Sequence, residues 1–464
     1  MTVPYWVQDS IFYQIFPDRF ANGDLSNDPA NLVPWGSPPD LYSFHGGDLR
    51  GIIQQFDYLL DLGVNALYLN PIFQASSTHR YNTTDFFRID PKLGTQDDFI
   101  ALLKVAHDNG VKVIIDGVFN HVGRGFFAFN DVLENQENSP YKDWFFIQRF
   151  PVDAYTENLE PDYQCWWKFK SLPKLNFNNP AVRHYILSVV KYWTELGIDG
   201  WRLDVPNEIP NRDFWNEFRE TVLAINKDAY MVGEIWEVEP SWVGDKAFDG
   251  LMNYPLREAI LGYVSGHMMA INFANRIETI SSVYPKTNFY SMFNTLGSHD
   301  TDRVMSVLKG NPAKVKLASL MLFAFPGAPA IYYGDEIGME GGKDPDNRRA
   351  FPWNLEAWNM DTHQWYQMLI SLRKRYPALR RGSFTRILLD ESRGAYAFVR
   401  KLSDQAVLIA TNASTTRKVL RVPMEKTGWR DGRIVHNLLG DEEYMVGGDD
   451  LIVPLPPNSG VWIG

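Results

Sequence analysis

The feature that most constrains this chain is a unit that recurs three times before residue 206. It consists of a helix with one apolar stripe, a glycine, an apolar strand, and polar residues where the strand ends. In the first copy Asp48 stands as N-cap for a helix over residues 49–62, with Ile52, Ile53, Phe56, Leu59 and Leu60 on one face. Gly63 ends that helix and the strand NALYLNP follows. In the second, Thr95 caps a helix that runs to Gly110, before VKVIIDGVFNH. In the third, Asn179 and Pro180 open a helix that ends at Gly197, where GIDGWRLDV (residues 197–205) begins. Further strands are expected in SIFYQIFPDRF (10–20), YMVGEIW (230–236), GLMNYP (250–255), FYSMFNTLGSHD (289–300) and APAIYYGDE (328–336). Helices and strands alternating through short joints imply a parallel sheet, and eight such strands imply a closed (β/α)8 TIM barrel of α/β class.

Such a barrel does its chemistry at the carboxyl ends of its strands. That is where the polar residues fall: Asp116, Asn120 and His121 after the third strand, Arg202 and Asp204 on the fourth, Glu234 on the fifth, His299 and Asp300 on the seventh. An isolated Arg-x-Asp reads first as a structural ion pair. Three carboxylates converging from three strands suit a retaining glycosidase, in which one attacks the anomeric carbon and another protonates the leaving oxygen. Asp204, beside Arg202, stays ionised and is the natural nucleophile. Glu234, with no arginine adjacent in sequence, is the natural acid. The formal charge of -11 and the lack of a basic cluster exclude nucleic acid and an anionic membrane as partners. No apolar run is long enough to span a bilayer. A lone Cys165 and an amino terminus without a signal-like segment fit a cytoplasmic protein, although removal of a signal would leave the same trace.

DGVFNH, GWRLDV, GEIW and LGSHD resemble, in order and spacing, the signature regions of the α-amylase superfamily of glycoside hydrolases. GVNALYLNP and GAPAIYYGDE resemble its flanking regions. The resemblance implies Asp204 as nucleophile, Glu234 as general acid/base and Asp300 as the third carboxylate, bonded to sugar hydroxyls. It implies that Tyr81, His121, Arg202 and His299 bind the ring at the point of cleavage, and that Asp344 and Arg348 hold sugars toward the non-reducing end. LPKLN and FYQIFPDRFANGD are similar to segments of the neopullulanase, cyclomaltodextrinase and maltogenic amylase group. That resemblance implies acceptor contacts at Asn207, Glu208 and Trp236, an α-glucan substrate, tolerance of α-1,4 and α-1,6 links, and some transglycosylation. Pro206 and Glu237 depart from the group's usual Ala and His. A plain α-amylase or an α-glucosidase for short maltooligosaccharides is the alternative reading, and a non-catalytic glucan binder is the reading from a different class.

NGDLSND and HGGDLRG supply Asn22, Asp24, Asn27, Asp28, Gly46 and Asp48, oxygen donors that suit a hard cation or, equally, a solvated Asx-rich turn. The resemblance implies a structural calcium site there. The barrel is expected over residues 1–121 and 172–381, with an inserted domain over 122–171 and a C-terminal antiparallel β-sandwich over 382–464. Members of the group commonly carry a further N-terminal domain that builds a dimer. Here the barrel starts almost at Met1, so an open groove and a monomer are expected.

Overall fold

The computed structural model describes residues 3–156, 159–390 and 394–464. Eight parallel strands form one sheet: Phe12–Ile15, Ala66–Leu69, Lys112–Gly117, Gly200–Leu203, Tyr230–Gly233, Gly250–Leu251, Phe293–Thr295 and Ala328–Tyr332. The first strand pairs with both the second and the eighth. A bridge between Met252 and Phe293 joins the sixth to the seventh and closes the barrel.

Alternation along the strands decides what faces where. Phe12, Tyr68, Ile114, Tyr230, Val232 and Phe293 pack together as one buried layer inside the barrel. Their neighbours Tyr13, Leu67, Val113, Ile115, Trp201 and Met231 belong to the large core under the helices. Two residues beyond the inward layer, the same phase brings up Gln14, Asn70, Asp116 and Glu234, with Arg202 beside Asp116 in register. The polar mouth thus continues the inward face, so the apolar plug beneath it holds the polar residues in place.

Local chemistry explains the helices. The Asp48 carboxylate accepts from the Gly51 amide, and Gly63 closes the turn at φ 92°. The helix expected over 49–62 is broken at Gln55 into Leu49–Gln54 and Phe56–Leu62. Thr95 and Asp98 form a reciprocal capping box on Gln96–Asp108. Asn179 caps Pro180–Glu195, which buries Ile186, Val189, Val190 and Trp193 against the barrel. Burial of each such apolar side chain stabilises by about 1.5–3 kcal/mol.

Several expected strands are shorter than read. Of 250–255 only Gly250–Leu251 is strand, because Asn253 accepts from the Leu256 amide and starts helix Tyr254–Ser265. Of 289–300 only Phe293–Thr295 is strand. Of 10–20, the strand stops at Ile15 and Pro17 opens a short helical turn. After the third strand the chain builds helix Phe127–Asn135 and a set of isolated bridges that return it to Leu175.

The C-terminal part holds a four-stranded antiparallel sheet of Ser383–Asp390, Ala395–Leu402, Gln405–Asn412 and Ser459–Ile463. Tyr396, Phe398, Val407, Ile409 and Trp462 face the barrel core. The alternate residues Ala395, Ala397, Val399, Leu408 and Ala410 pack on Leu420, Val422, Leu451 and Val453 from the pair Lys418–Pro423 and Asp450–Leu455. Among the described residues, no helix is long and apolar enough to cross a membrane.

Candidate active site

Arg202 is the hub of the mouth. Its side chain is 1% exposed, and its Nη1 lies 2.8 Å from Asp116 Oδ1 and 2.9 Å from Asp204 Oδ1, while Nη2 lies 2.9 Å from Glu234 Oε2. Glu234 has no arginine adjacent in sequence, yet it gains one in space. The fourth and fifth strands lie side by side in register, and a guanidinium has donors enough to reach both. Glu234 also accepts from the Val205 amide at 3.1 Å and from Trp236 Nε1 at 3.2 Å. Val205 reaches that position with φ at 34°, a left-handed conformation costly for a β-branched residue.

One guanidinium serves three buried carboxylates, and Asp300 adds a fourth acid to the mouth. Burial pushes the Asp204 carboxyl well up, opposed by Arg202 and reinforced by Glu234, Asp116 and Asp300. Asp116 is raised by burial as well. Asp300 is raised to about 7, first by desolvation in the concave mouth and then by the charge of Glu234. Asp116, Asp204 and Asp300 are thus each raised by burial, and their titrations are coupled through the charges they share.

A second layer fixes this arrangement. Tyr68 and Tyr81 donate to Asp116 Oδ2 at 2.7 and 2.8 Å. The Tyr81 ring lies flat on His299, with centroids 5.4 Å apart and planes within 5°. The Gln14 amide lies 2.8 Å from His299 Nδ1 and donates to it, which leaves the ring proton on Nε2, 3.0 Å from Asp300 Oδ2. Burial and the charges of Arg202 and Arg348 hold His299 well below the usual histidine range, so it is neutral. Arg348 donates to the His299 carbonyl at 2.9 Å and reaches Asp300 at 3.6 Å and Asp344 at 3.0 Å. His121 is buried, pushed down to about 4, and stacked on Trp166, which in turn stacks on Trp167. Trp236 lies face to face with Tyr254 at 3.8 Å.

The structure therefore gathers Tyr81, Arg202, Asp204, Glu234, Trp236, His299, Asp300, Asp344 and Arg348 into one bonded network. Asn207 and Glu208 sit on the turn after the fourth strand; Asn207 is exposed and Glu208 is paired with Lys174 at 3.0 Å. Sequence reasoning missed Gln14, Tyr68, Asn70 and Tyr254. Strand phase was the available signal for Gln14 and Tyr68, which share the inward face with Phe12 and Asp116.

The cation expected at the N-terminal loop is tested by its donors. Asn22 Oδ1 and Asn27 Oδ1 are buried without a hydrogen-bond partner, while their amide nitrogens donate to Asp28 and Asp48. Two orphaned oxygens beside two carboxylates fit a hard cation. Asp24 does not join them, because its carboxylate turns to Ser26 and to Arg50. Among the described residues, no group of three or more His, Cys, Asp and Glu forms a metal cluster, so any cage here depends on amide and carbonyl oxygens.

A closed parallel barrel with buried acids clustered on an arginine at its carboxyl mouth defines a barrel glycosidase. The family model described as "Alpha amylase, catalytic domain" matches residues 14–363, and the chain belongs to this α-amylase family of glycoside hydrolases. It is 43% identical over 457 residues to a cyclomaltodextrinase of Geobacillus thermopakistaniensis, covering 98% of this chain and 76% of the relative. It is 42% identical over 448 residues to neopullulanase 2 of Thermoactinomyces vulgaris, covering 95% and 76%. Its structure matches that of the cyclic α-maltosyl-(1→6)-maltose hydrolase of Arthrobacter globiformis with a TM-score of 0.91 and 39% identity, over 100% of both chains.

Proposed function

We propose that the chain is a retaining hydrolase of α-1,4-glucosidic bonds in maltooligosaccharides, cyclodextrins, pullulan and starch, which also accepts α-1,6 links and transfers glycosyl groups. The observation that carries this reading is the sharing of Arg202 between Asp204 and Glu234. Two carboxylates on adjacent nitrogens of one guanidinium support the close spacing of a nucleophile and its acid, rather than the wider, water-spaced pair of inverting enzymes.

Asp204 attacks the anomeric carbon while Glu234 gives its proton to the leaving glycosidic oxygen. Glu234 then takes a proton from the incoming water or sugar hydroxyl that frees the glycosyl group from Asp204. Entry of the substrate displaces water from the mouth, which strengthens the electrostatic interactions among these groups. Neutral His121 and His299, with Asp300 and Arg348, are read as taking hydroxyls of the ring above Tyr81. Asn207, Glu208 and Trp236 are read as acceptor-side contacts. The relatives acting on cyclic and branched maltosaccharides, as their names state, support the substrate class.

Asn22, Asn27, Asp28, Asp48 and the Gly46 carbonyl would hold a calcium ion. When bound it would tie the loop of residues 22–28 to the N-terminus of the helix that Asp48 caps, far from the reacting atoms. The single Cys165 and the intracellular maltogenic amylase of Bacillus subtilis among its relatives support a cytoplasmic setting.

Product analysis with pullulan, a cyclodextrin and soluble starch in parallel tests the reading. Panose from pullulan with rapid ring opening of cyclodextrin is expected. Starch cleavage alone would make the chain a plain α-amylase. The first product released should be the α-anomer by NMR, and a β-anomer would overturn the retaining mechanism.

A further inference from the structure

Away from the mouth, the N-terminal segment forms one side of an open cavity of about 640 Å³ that the catalytic scheme does not use. Trp35 and Trp353 line it, with His45, Leu25, Leu32 and Asp28. Both indoles are pinned, since Trp35 Nε1 donates to the Phe351 carbonyl at 2.9 Å and Trp353 Nε1 to the Phe20 carbonyl at 2.6 Å. Their ring surfaces, not their N–H groups, are what remain to be offered.

His45 is 1% exposed. Its Nε2 donates to the Ser37 carbonyl at 3.0 Å, so the ring proton is committed there. Nδ1 is left as a bare lone pair, buried and without a partner. An unpaired acceptor on a buried ring is costly unless an incoming donor meets it. No lysine or arginine lines the cavity, so no side chain there would pair with an anion, and Asn22 and Asp28 at its edge are among the residues read above as holding calcium. What fits is a neutral molecule with an apolar face for indole, a hydroxyl donor for His45, and the size of one or two sugar rings.

We infer that this cavity is a second, non-catalytic site for an α-glucan chain, with Trp35 as its stacking wall and His45 Nδ1 accepting a sugar hydroxyl. The inference rests on the proposed α-glucan substrate. Position supports the same ligand. Trp35 is bonded to Phe351, at the end of the loop that carries Asp344 and Arg348. Arg19 donates to the Arg348 carbonyl at 2.9 Å and accepts from the Phe351 amide at 2.7 Å. The cavity wall and Arg348 are thus braced by the same loop.

The test is calorimetric titration of the full chain carrying Glu234→Gln with maltotetraose. Two molecules bound per chain are expected, falling to one when Trp35→Ala is added and returning to two with Trp35→Phe. Leu25→Trp, a change at a rim residue 79% exposed, should plug the cavity and also leave one site, which covers the case where Trp35→Ala does not fold. One site in the Glu234→Gln parent, unchanged by Trp35→Ala or Leu25→Trp, overturns the inference and leaves the proposed function standing. No binding at all in that parent overturns the inference as well, and turnover of starch by the unaltered chain then shows separately whether the function stands.

Discussion

Two groups of buried acid sit on opposite sides of the barrel wall, and they differ in what surrounds them. At the mouth, Asp116, Asp204 and Glu234 ring Arg202, and Asp300 stands over them with its side chain 28% exposed. Behind the first strand, Glu336 is fully buried with only Tyr13 and Tyr58 donating to it, Tyr13 at 2.8 Å. Asp300 and Glu336 are both raised to about 7, each mainly by burial. A perturbed carboxyl is thus a sign of burial in both places. What separates the reactive group is a shared cation, several acids from several strands, and a path for a ligand. Glu336 does have an acid neighbour in Asp335, itself paired with Arg303, but all three are buried out of a ligand's reach, and Glu336 serves to anchor Tyr13 and Tyr58 under the helices.

The comparison breaks most visibly in turnover. Glu234→Gln should lower kcat on maltooligosaccharides by roughly 10³-fold or more, through loss of a general acid. Glu336→Gln, equal in size and equally able to accept from both tyrosines, should stay within about threefold. Steady-state kinetics on both variants would sink the distinction if the two losses matched. Trp236→Phe keeps the stack on Tyr254 and removes one donor to Glu234. A hydrogen bond to a charged group contributes about 1.5–3 kcal/mol, so kcat should fall about 10- to 100-fold with the fold intact, as circular dichroism would show.

Stability sharpens the other half. Glu336 has its folded pKa raised from 4.5 to about 7, so between those values the folded state holds a proton that the unfolded state has released. Stability should then fall as pH rises through that window, by at most about 1.4 kcal/mol per pH unit. Glu336→Gln should flatten the slope of urea midpoints between pH 5 and 8, and an unchanged slope would count against the assignment. The smallest effect is expected at the N-terminal loop. Chelation by EDTA, or Asp48→Asn, should lower Tm by a few degrees and leave kcat near its starting value, as differential scanning calorimetry and rates at 25 °C would report.

Much of this was legible in the chain because strand phase and helix caps are local. Asp48, Thr95 and Asn179 cap the helices they precede, and the eight strand cores lie within the segments read as strand. The ends were less legible, since Asn253 can finish a strand or cap a helix and only the tertiary setting decides. Strand Ser383–Asp390 is hard to read from sequence because most of its residues are half-buried whichever face they take and show no clean alternation. Within the site, each acid could be named from its strand. The sharing of Arg202 with Glu234 could not, for it depends on the lateral register of two strands separated by a helix of fourteen residues, Arg212–Ile225. Gln14 was hidden for a similar reason: its partner His299 is 285 positions away.

Val205 has a consequence for anyone who would harden this protein against heat. Its left-handed backbone is what points an amide at Glu234, and glycine or asparagine would hold that backbone at lower cost. Selection for thermal survival alone would favour such replacements, and then any local relaxation they permit. A Val205→Gly replacement would therefore trade backbone strain for freedom in the turn that carries the amide facing Glu234.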